Sequence, residues 1–275
     1  MSSELPPHSA FLAFAETLAD TSRAMLLEAA QQPPEVTIKG DASYVTTTDK
    51  AVEEKLREFI IAEYPDHGIF GEEFDNINID AEFVWVLDPI DGTAAFVAGI
   101  PVYGTLIALA WKGKPYIGVI DHPLTDDRWT GVYNTCAFHN GTPVKTRACD
   151  NLETAYATCS NSDFMSDAQL ERFTPVRKQL AYVQYGGSCF SYGALASGRS
   201  DFAIDAGLEA FDVYACAAII HGAGGLVTTW SGEELSLYMD GTVIAAGDRA
   251  RLPDIVEALK KNYSEPRTVR ETYRI

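Results

Sequence analysis

"WVLDPIDGTAAF", Trp85 to Phe96, drives an apolar run into two carboxylates three residues apart and then turns on Gly-Thr. An ionised carboxylate at the end of a buried strand is costly unless a cation or hydrogen bonds compensate. Pro89 fixes φ and has no N–H to give to a neighbouring strand. The strand is therefore expected to stop at Asp88 and turn, aiming Asp88 and Asp91 into one space and freeing the Ile90 carbonyl as a further oxygen. Gly92 allows a backbone conformation that a side chain blocks. "TAAFVAG" then starts a short helix, and the unpaired N–H groups of such a start favour an anion, most often phosphate. Hard oxygen ligands beside an anion cradle suit Mg²⁺, and a pair of such ions suits an in-line displacement at phosphorus. No His/Cys cluster accompanies them, which argues against zinc.

Upstream, residues 8–30 carry Phe11, Phe14, Ala15 and Leu18 at helical spacing, and "QQPPE" stops that helix. "IKGDASYVTTTD" reads as loop and strand entry. Asp49 opens a second helix with Val52, Leu56, Phe59 and Ile60 on one face. "GIFGEE" is a short strand feeding Glu72 and Glu73. "FVWVLD" (83–88) is unbroken and apolar, a strand buried on both faces. Downstream, "GTLIALAW" and "PYIGVID" form a hairpin across "KGK". "RWTGVY" and "CAFHNGTPV" continue the sheet, with a type I′ turn at Asn140-Gly141. The N-terminal half thus reads as two helices and an antiparallel sheet. From about residue 150, strands alternate with helices up to residue 262, which predicts a second α/β sheet. The boundary is placed at 148, giving an N-terminal α+β half (1–148) and a C-terminal α/β half (149–275). The tail "SEPRTVRETYRI" is polar.

The chain has 275 residues and a formal charge of −18. It shows no basic stripe for nucleic acid, no apolar run near the ~20 residues of a membrane span, and no secretory signal layout in "MSSELPPHSA". A cytoplasmic setting is expected. Its five cysteines are odd in number and form no CxxC, so neither a disulfide framework nor a zinc knuckle is expected.

Three acidic segments stand out: "GEE" (71–73), "DPIDGT" (88–93) and Asp212 in "FDVYACAAIIHGAGG" (211–225). Each alone has a plain reading. The first is a solvated loop, the second an Asx-type turn, the third a helix-start acid favoured by the macrodipole. Together and in this order they resemble the inositol monophosphatase superfamily of Mg²⁺-dependent phosphatases, over roughly residues 8–262.

The resemblance implies a layered αβαβα sandwich of the inositol monophosphatase/fructose-bisphosphatase type, usually a homodimer. It implies that Glu72, Asp88 and the Ile90 carbonyl hold a first Mg²⁺, and Asp88, Asp91 and Asp212 a second. Glu73 supports them. Thr93, with Glu72, orients and deprotonates the attacking water. Asp49 lies near Thr93 and a weaker third metal. Gly92 and Thr93 N–H groups hold the phosphate. Li⁺ inhibition follows from the same resemblance.

"GTLIALAW…GVIDHP…RW" and "YGGSCFSYGALASG" (185–198) resemble the histidinol-phosphate phosphatase branch more than the inositol branch. That branch has Asp where Ser188 stands, after Gly187, and a basic or amide residue where Glu209 stands. Ser188 also reads as a helix N-cap and Glu209 as a plain loop charge. Glu209 or Asp205 could take the carboxylate part toward a cationic amine, and Asp205 matches a family position that contacts the substrate alcohol. Histidinol phosphate, inositol or another polyol phosphate, and other small esters stay open in that order. A haloacid dehalogenase-type phosphatase is disfavoured, since its two aspartates are two apart. A non-catalytic metal-binding or regulatory protein on the same fold is the reading from another class.

Overall fold

The computed structural model describes residues 7–38, 40 and 44–260. The expectations for the C-terminal tail lie outside the described residues. Helix α1 (Ser9–Ala29) and helix α2 (Thr47–Glu63) flank a two-stranded ribbon, β1 (Val36–Ile38) and β2 (Tyr44–Thr46). Thr46 caps α2, and Asp49 at its third position returns the bond to the Thr46 N–H, a reciprocal capping box. Seven strands then build one sheet: β3 (Gly68–Gly71), β4 (Phe83–Asp91), β5 (Gly104–Trp111), β6 (Lys114–His122), β7 (Asp127–Val132), β8 (Cys136–His139) and β9 (Thr142–Pro143). Helix α3 (Thr93–Ala98) interrupts them. The sheet is not wholly antiparallel as expected, because β3 and β4 pair in parallel. The turn at Asn140-Gly141 has φ of 47° and 73°, the left-handed pair that a type I′ turn needs.

The second sheet has the order β11-β10-β12-β14-β13. Its strands are β10 (Tyr156–Cys159), β11 (Tyr182–Tyr185), β12 (Phe202–Ala206), β13 (Leu226–Thr228) and β14 (Thr242–Ala246). Helices α4 (Asp167–Gln179), α5 (Ser188–Ala196), α6 (Ala210–Gly222) and α7 (Leu252–Leu259) alternate with them.

Strand alternation sorts these elements into layers. Trp85, Leu87, Ile107 and Leu109 pack with Leu18 of α1 and Leu56 of α2. Their neighbours Val84, Val86, Leu106 and Ala108 face the other way, onto α5 and α6. In the second sheet Ala203, Val243 and Ala245 meet the same two helices, whereas Phe202, Ile204 and Ile244 pack on α4 and α7. The order is helix, sheet, helix, sheet, helix: the αβαβα sandwich. As the middle layer, α6 is buried along nearly its whole length. It sits directly on the first sheet, where a Cβ at Gly118 would meet the Ala215 carbonyl oxygen at 2.2 Å and one at Gly131 the Ile219 Cα at 2.5 Å. Larger residues there would lift the helix away.

Pro89 does not end β4. Asp88 pairs with Leu106 and Asp91 with Gly104, so three steps on β4 match two on β5. The irregularity is a one-residue bulge, not a turn. The Pro89 carbonyl accepts from Thr105 Oγ1 at 2.9 Å, which replaces a lost ladder bond. Without the bulge, Asp88 and Asp91 would lie on opposite faces. With it both face α5 and α6, while Ile90 joins the outer core.

The five cysteines are free and four are buried. No helix among the described residues is long and apolar enough to cross a membrane.

Candidate active site

One carboxylate oxygen each from Asp88, Asp91 and Asp212 lies within 4.8 Å of the others. The bulge supplies the first two and the opening turn of α6 the third. Asp91 Oδ2 accepts the Cys189 N–H of α5 at 2.6 Å, and Asp212 Oδ2 accepts the Glu209 N–H at 2.6 Å. Each carboxylate is thereby fixed in orientation by backbone.

Asp88 is 1 % exposed, and its Oδ1 has no hydrogen-bond partner. Burial, then the charges of Glu72, Asp91 and Asp212, push its carboxyl well above the usual range. Asp212 is raised too, by burial and then by Asp91, with Glu72 adding to it. Glu72 is half-buried and its charge acts on both Asp88 and Asp212, so this residue of "GEE" lies near the cluster. An orphaned carboxylate oxygen among like charges is unfavourable in a metal-free protein. The donor set is all hard oxygen, so it fits Mg²⁺ or another hard divalent cation.

Thr93 and Asp49 meet beside this group. Thr93 Oγ1 lies 3.1 Å from Asp49 Oδ1 and 3.0 Å from the Ile90 carbonyl oxygen. Asp49 is fully buried, and its Oδ2 accepts from the Thr46 N–H and hydroxyl. Burial raises its carboxyl, and the Thr46 and Thr93 bonds pull the other way.

Gly92 has φ of 82°, and a Cβ there would meet Ser188 Oγ at 2.6 Å. The α3 start and the α5 start are thus pressed together. Gly186, Gly187 and Ser188 all have positive φ, at 80°, 102° and 45°. Ser188 is the first residue of α5, and Gly187 holds the N-cap position expected of Ser188. Asp205 is buried behind this turn, with its oxygens accepting the Ser160 N–H and the Tyr192 hydroxyl, both at 2.6 Å. Glu209 is exposed at the N-cap of α6 and its charge opposes ionisation of Asp212.

Several positioning residues escaped the sequence reading. Glu53 is fully buried, its Oε2 accepts the Glu73 N–H at 2.8 Å, and its Oε1 accepts from Arg57 Nε at 2.8 Å. Arg57 in turn donates to the Asp75 and Phe74 carbonyls, both at 3.0 Å. The pair clamps the segment that carries Glu72 to α2. The (i, i+4) spacing of an acid and an arginine was visible, but it is also that of a surface ion pair. His122, also buried, donates from Nδ1 to the Tyr103 carbonyl at 2.8 Å, and its Nε2 lies 3.3 Å from Cys189 Sγ. Burial lowers this imidazole to about 4, so it is neutral at pH 7. No sequence motif marks it.

The sequence matches the inositol monophosphatase family over residues 8–264. It is 36 % identical over 259 residues to the bifunctional phosphatase IMPL2, chloroplastic, of Arabidopsis thaliana, covering 91 % of this chain and 75 % of that one. It is 32 % identical over 208 residues to a histidinol-phosphatase of Chlorobaculum parvum, covering 75 % and 80 %. The structure of an inositol monophosphatase from Zymomonas mobilis superposes with a TM-score of 0.85 at 33 % identity, covering 94 % and 100 %. The αβαβα layers, the acidic cluster and these likenesses agree: the chain belongs to the inositol monophosphatase family of phosphatases.

Proposed function

We propose that this protein hydrolyses a small alcohol phosphate at the Asp88–Asp91–Asp212 cluster, with histidinol phosphate as the natural ester. The observation that carries the reading is Asp88 Oδ1, buried without a partner among three converging carboxylates. Glu72, Asp88 and the Ile90 carbonyl would hold one Mg²⁺, Asp88, Asp91 and Asp212 a second, and Asp49 borders a weaker third. When bound, Mg²⁺ supplies positive charge that neutralises phosphate oxygens and acidifies water.

The chain's own groups do the positioning. The Thr93 hydroxyl, steered by Asp49, orients the attacking water, and Glu72 takes its proton. The Gly92 and Thr93 N–H groups, at a helix start without intrahelical acceptors, bind the phosphate. Glu73 steadies Glu72 through the Glu53 clamp. Gly187 and Ser188 close the phosphate side. Asp205 acts through Tyr192 and Ser160 and does not touch the ester. Attack is in line, and no covalent phosphoenzyme forms. Positioning and charge neutralisation carry most of such catalysis.

Two observations support the amine-bearing ester. Glu209 is an exposed carboxylate beside Asp212, placed for a cationic amine at the rim. The Chlorobaculum parvum relative is named a histidinol-phosphatase. Inositol 1-phosphate is the second reading, favoured by the likeness to the Zymomonas mobilis structure. The homodimer, the cytoplasmic setting and the division at residue 148 belong to this proposal too.

Phosphate release with Mg²⁺ from histidinol phosphate, inositol 1-phosphate, fructose 1,6-bisphosphate and adenosine 3′,5′-bisphosphate is the test. Histidinol phosphate should show the highest kcat/KM, and EDTA should abolish release. A higher kcat/KM for inositol 1-phosphate would replace the substrate, and undiminished release in EDTA would overturn the metal reading.

A further inference from the structure

A cavity of about 300 Å³ opens at the other end of α6 from Asp212. Asp212 stands in the first turn of α6 and His221 in its last, about 14 Å apart at 1.5 Å per residue. The cavity is walled by Trp111, Tyr116 and Tyr133, with Lys112 and Lys114 of the β5–β6 hairpin and His221. None of these residues belongs to the carboxylate cluster. Its volume is at the lower end for small-molecule sites, about 300–1,000 Å³.

His221 gives the cavity its chemistry. Its side chain is 6 % exposed, and Tyr133 stacks on the ring at 4.2 Å. Its Nε2 accepts the Val227 N–H at 3.1 Å. A neutral imidazole that accepts at one nitrogen carries its proton on the other. Burial, with Arg249 adding to it, lowers this histidine to about 4, in keeping with a neutral ring. Its Nδ1 is therefore an N–H donor, and it is buried without a partner. A buried donor left unpaired is unfavourable, so a ligand with an acceptor is favoured at this point.

The mouth adds charge. Lys114 is half-exposed and pairs with the exposed Glu234 at 2.9 Å and the Leu235 carbonyl at 3.3 Å. Lys112 is half-exposed, lies over Trp111 and reaches Glu82 at only 3.6 Å. Exposed ion pairs of this kind are weak, so either ammonium can turn to a ligand. The lining side chains carry two lysines against one glutamate, Glu234.

We propose that this cavity is a second ligand site, separate from the phosphatase centre, that takes a small aromatic carboxylate. The ring lies among Trp111, Tyr116 and Tyr133. The carboxylate accepts the His221 Nδ1–H and is met by Lys112 and Lys114.

Indole-3-acetate is a suitable probe, with neutral indole as its control. Titration calorimetry on the full chain, with inorganic phosphate and Mg²⁺ present throughout, should show saturable binding of indole-3-acetate and at least severalfold weaker binding of indole. Lys114→Met should weaken binding severalfold. His221→Phe, which keeps the stack but removes the donor, should weaken it about tenfold or more, as for a hydrogen bond to a charged group. In ¹⁵N-histidine spectra of the unaltered protein, the His221 Nδ1–H proton should move downfield on binding. That measurement stands even if His221→Phe fails to fold for want of an acceptor for Val227. No saturable binding, equal affinity for indole, an unmoved His221 signal, or binding that appears only when phosphate is omitted would overturn the proposal.

Discussion

The Thr93 hydroxyl stands between two acceptors, Asp49 Oδ1 at 3.1 Å and the Ile90 carbonyl oxygen at 3.0 Å. It has one proton and can satisfy only one of them at a time. Its lone pairs are then available to a water whose proton is to be removed. Thr93→Ala should lower kcat by about 10²–10⁴, the usual range for a positioned acid–base group. Mg²⁺ affinity, read by calorimetry, should stay within severalfold of the parent, since Thr93 supplies no proposed ligand. Unchanged turnover would remove the hydroxyl from the mechanism.

The cluster predicts opposite effects with and without cation. Asp88→Asn removes one of several repelling charges and should leave the metal-free protein as stable as the parent or more so. A ligand present at 100 times its Kd stabilises by about 2.7 kcal/mol. Parent protein should gain thermal stability of that order with Mg²⁺, and Asp88→Asn should lose most of the gain. Thermal melts in EDTA and in Mg²⁺ give both comparisons. Equal Mg²⁺ stabilisation of the two proteins would exclude Asp88 as a ligand.

Arg57 neutralises Glu53 in a fully buried position. Removing one partner of such a pair typically costs about 3–5 kcal/mol, because the other charge is left behind. Arg57→Met should show that loss in urea denaturation. Glu53→Gln should cost less and should raise the Mg²⁺ concentration needed for half-maximal activity, because the Glu73 N–H anchor weakens. A Mg²⁺ requirement unaltered in Glu53→Gln would make the clamp irrelevant to the site.

Gly92 and Ser188 should couple. Gly92→Ala places a methyl group 2.6 Å from Ser188 Oγ at a φ of 82°, combining a clash with left-handed strain of about 1–2 kcal/mol. Ser188→Gly removes the obstructing hydroxymethyl group and relaxes a φ of 45°. The double variant should recover part of the loss, a non-additivity of about 0.5 kcal/mol or more. Strict additivity in a denaturation cycle would show that the two helix starts do not touch in solution.

Acid should destabilise the fold through His122. Its folded value is about 4, below the ordinary 6.5. The unfolded chain therefore binds more protons between those limits, and stability rises with pH across them. This contribution is complete above about 6.5 and is lost as pH falls toward 4, on the order of 2 kcal/mol. His122→Gln should show a flatter decline between pH 7 and 4.5 than the parent. Parallel curves would mean that His122 titrates normally.

Legibility of the sequence followed the range of the interactions. The helices and strands were readable because helical spacing and apolar runs are local, as in Leu56 and Ile60 of α2 and Val84 to Leu87 of β4; their stacking into αβαβα layers was carried by the resemblance. The turn residues at Asn140-Gly141 were equally local. The bulge was not readable, since Pro89 signals a broken ladder but not whether the strand resumes. That depends on Thr105, which sits on the next strand and supplies the replacement bond. The position of Glu72 beside Asp88 was carried by the resemblance, and its physical cause, the Glu53–Arg57 clamp, joins α2 to a loop some twenty residues away. His122 and Cys189 meet only after two sheets have stacked, so no spacing along the chain betrays them.

The middle-layer helix sets a schedule for biogenesis. Asp212 is presented by a segment that is made only after every strand of the first sheet, through β9. Until then Asp88 and Asp91 have Glu72 near them but not Asp212, and the nascent N-terminal sheet must mature without a complete cage for a cation. Mg²⁺ availability should accordingly bear on the last stage of maturation, when α6 docks, and leave the earlier folding of the first sheet largely untouched.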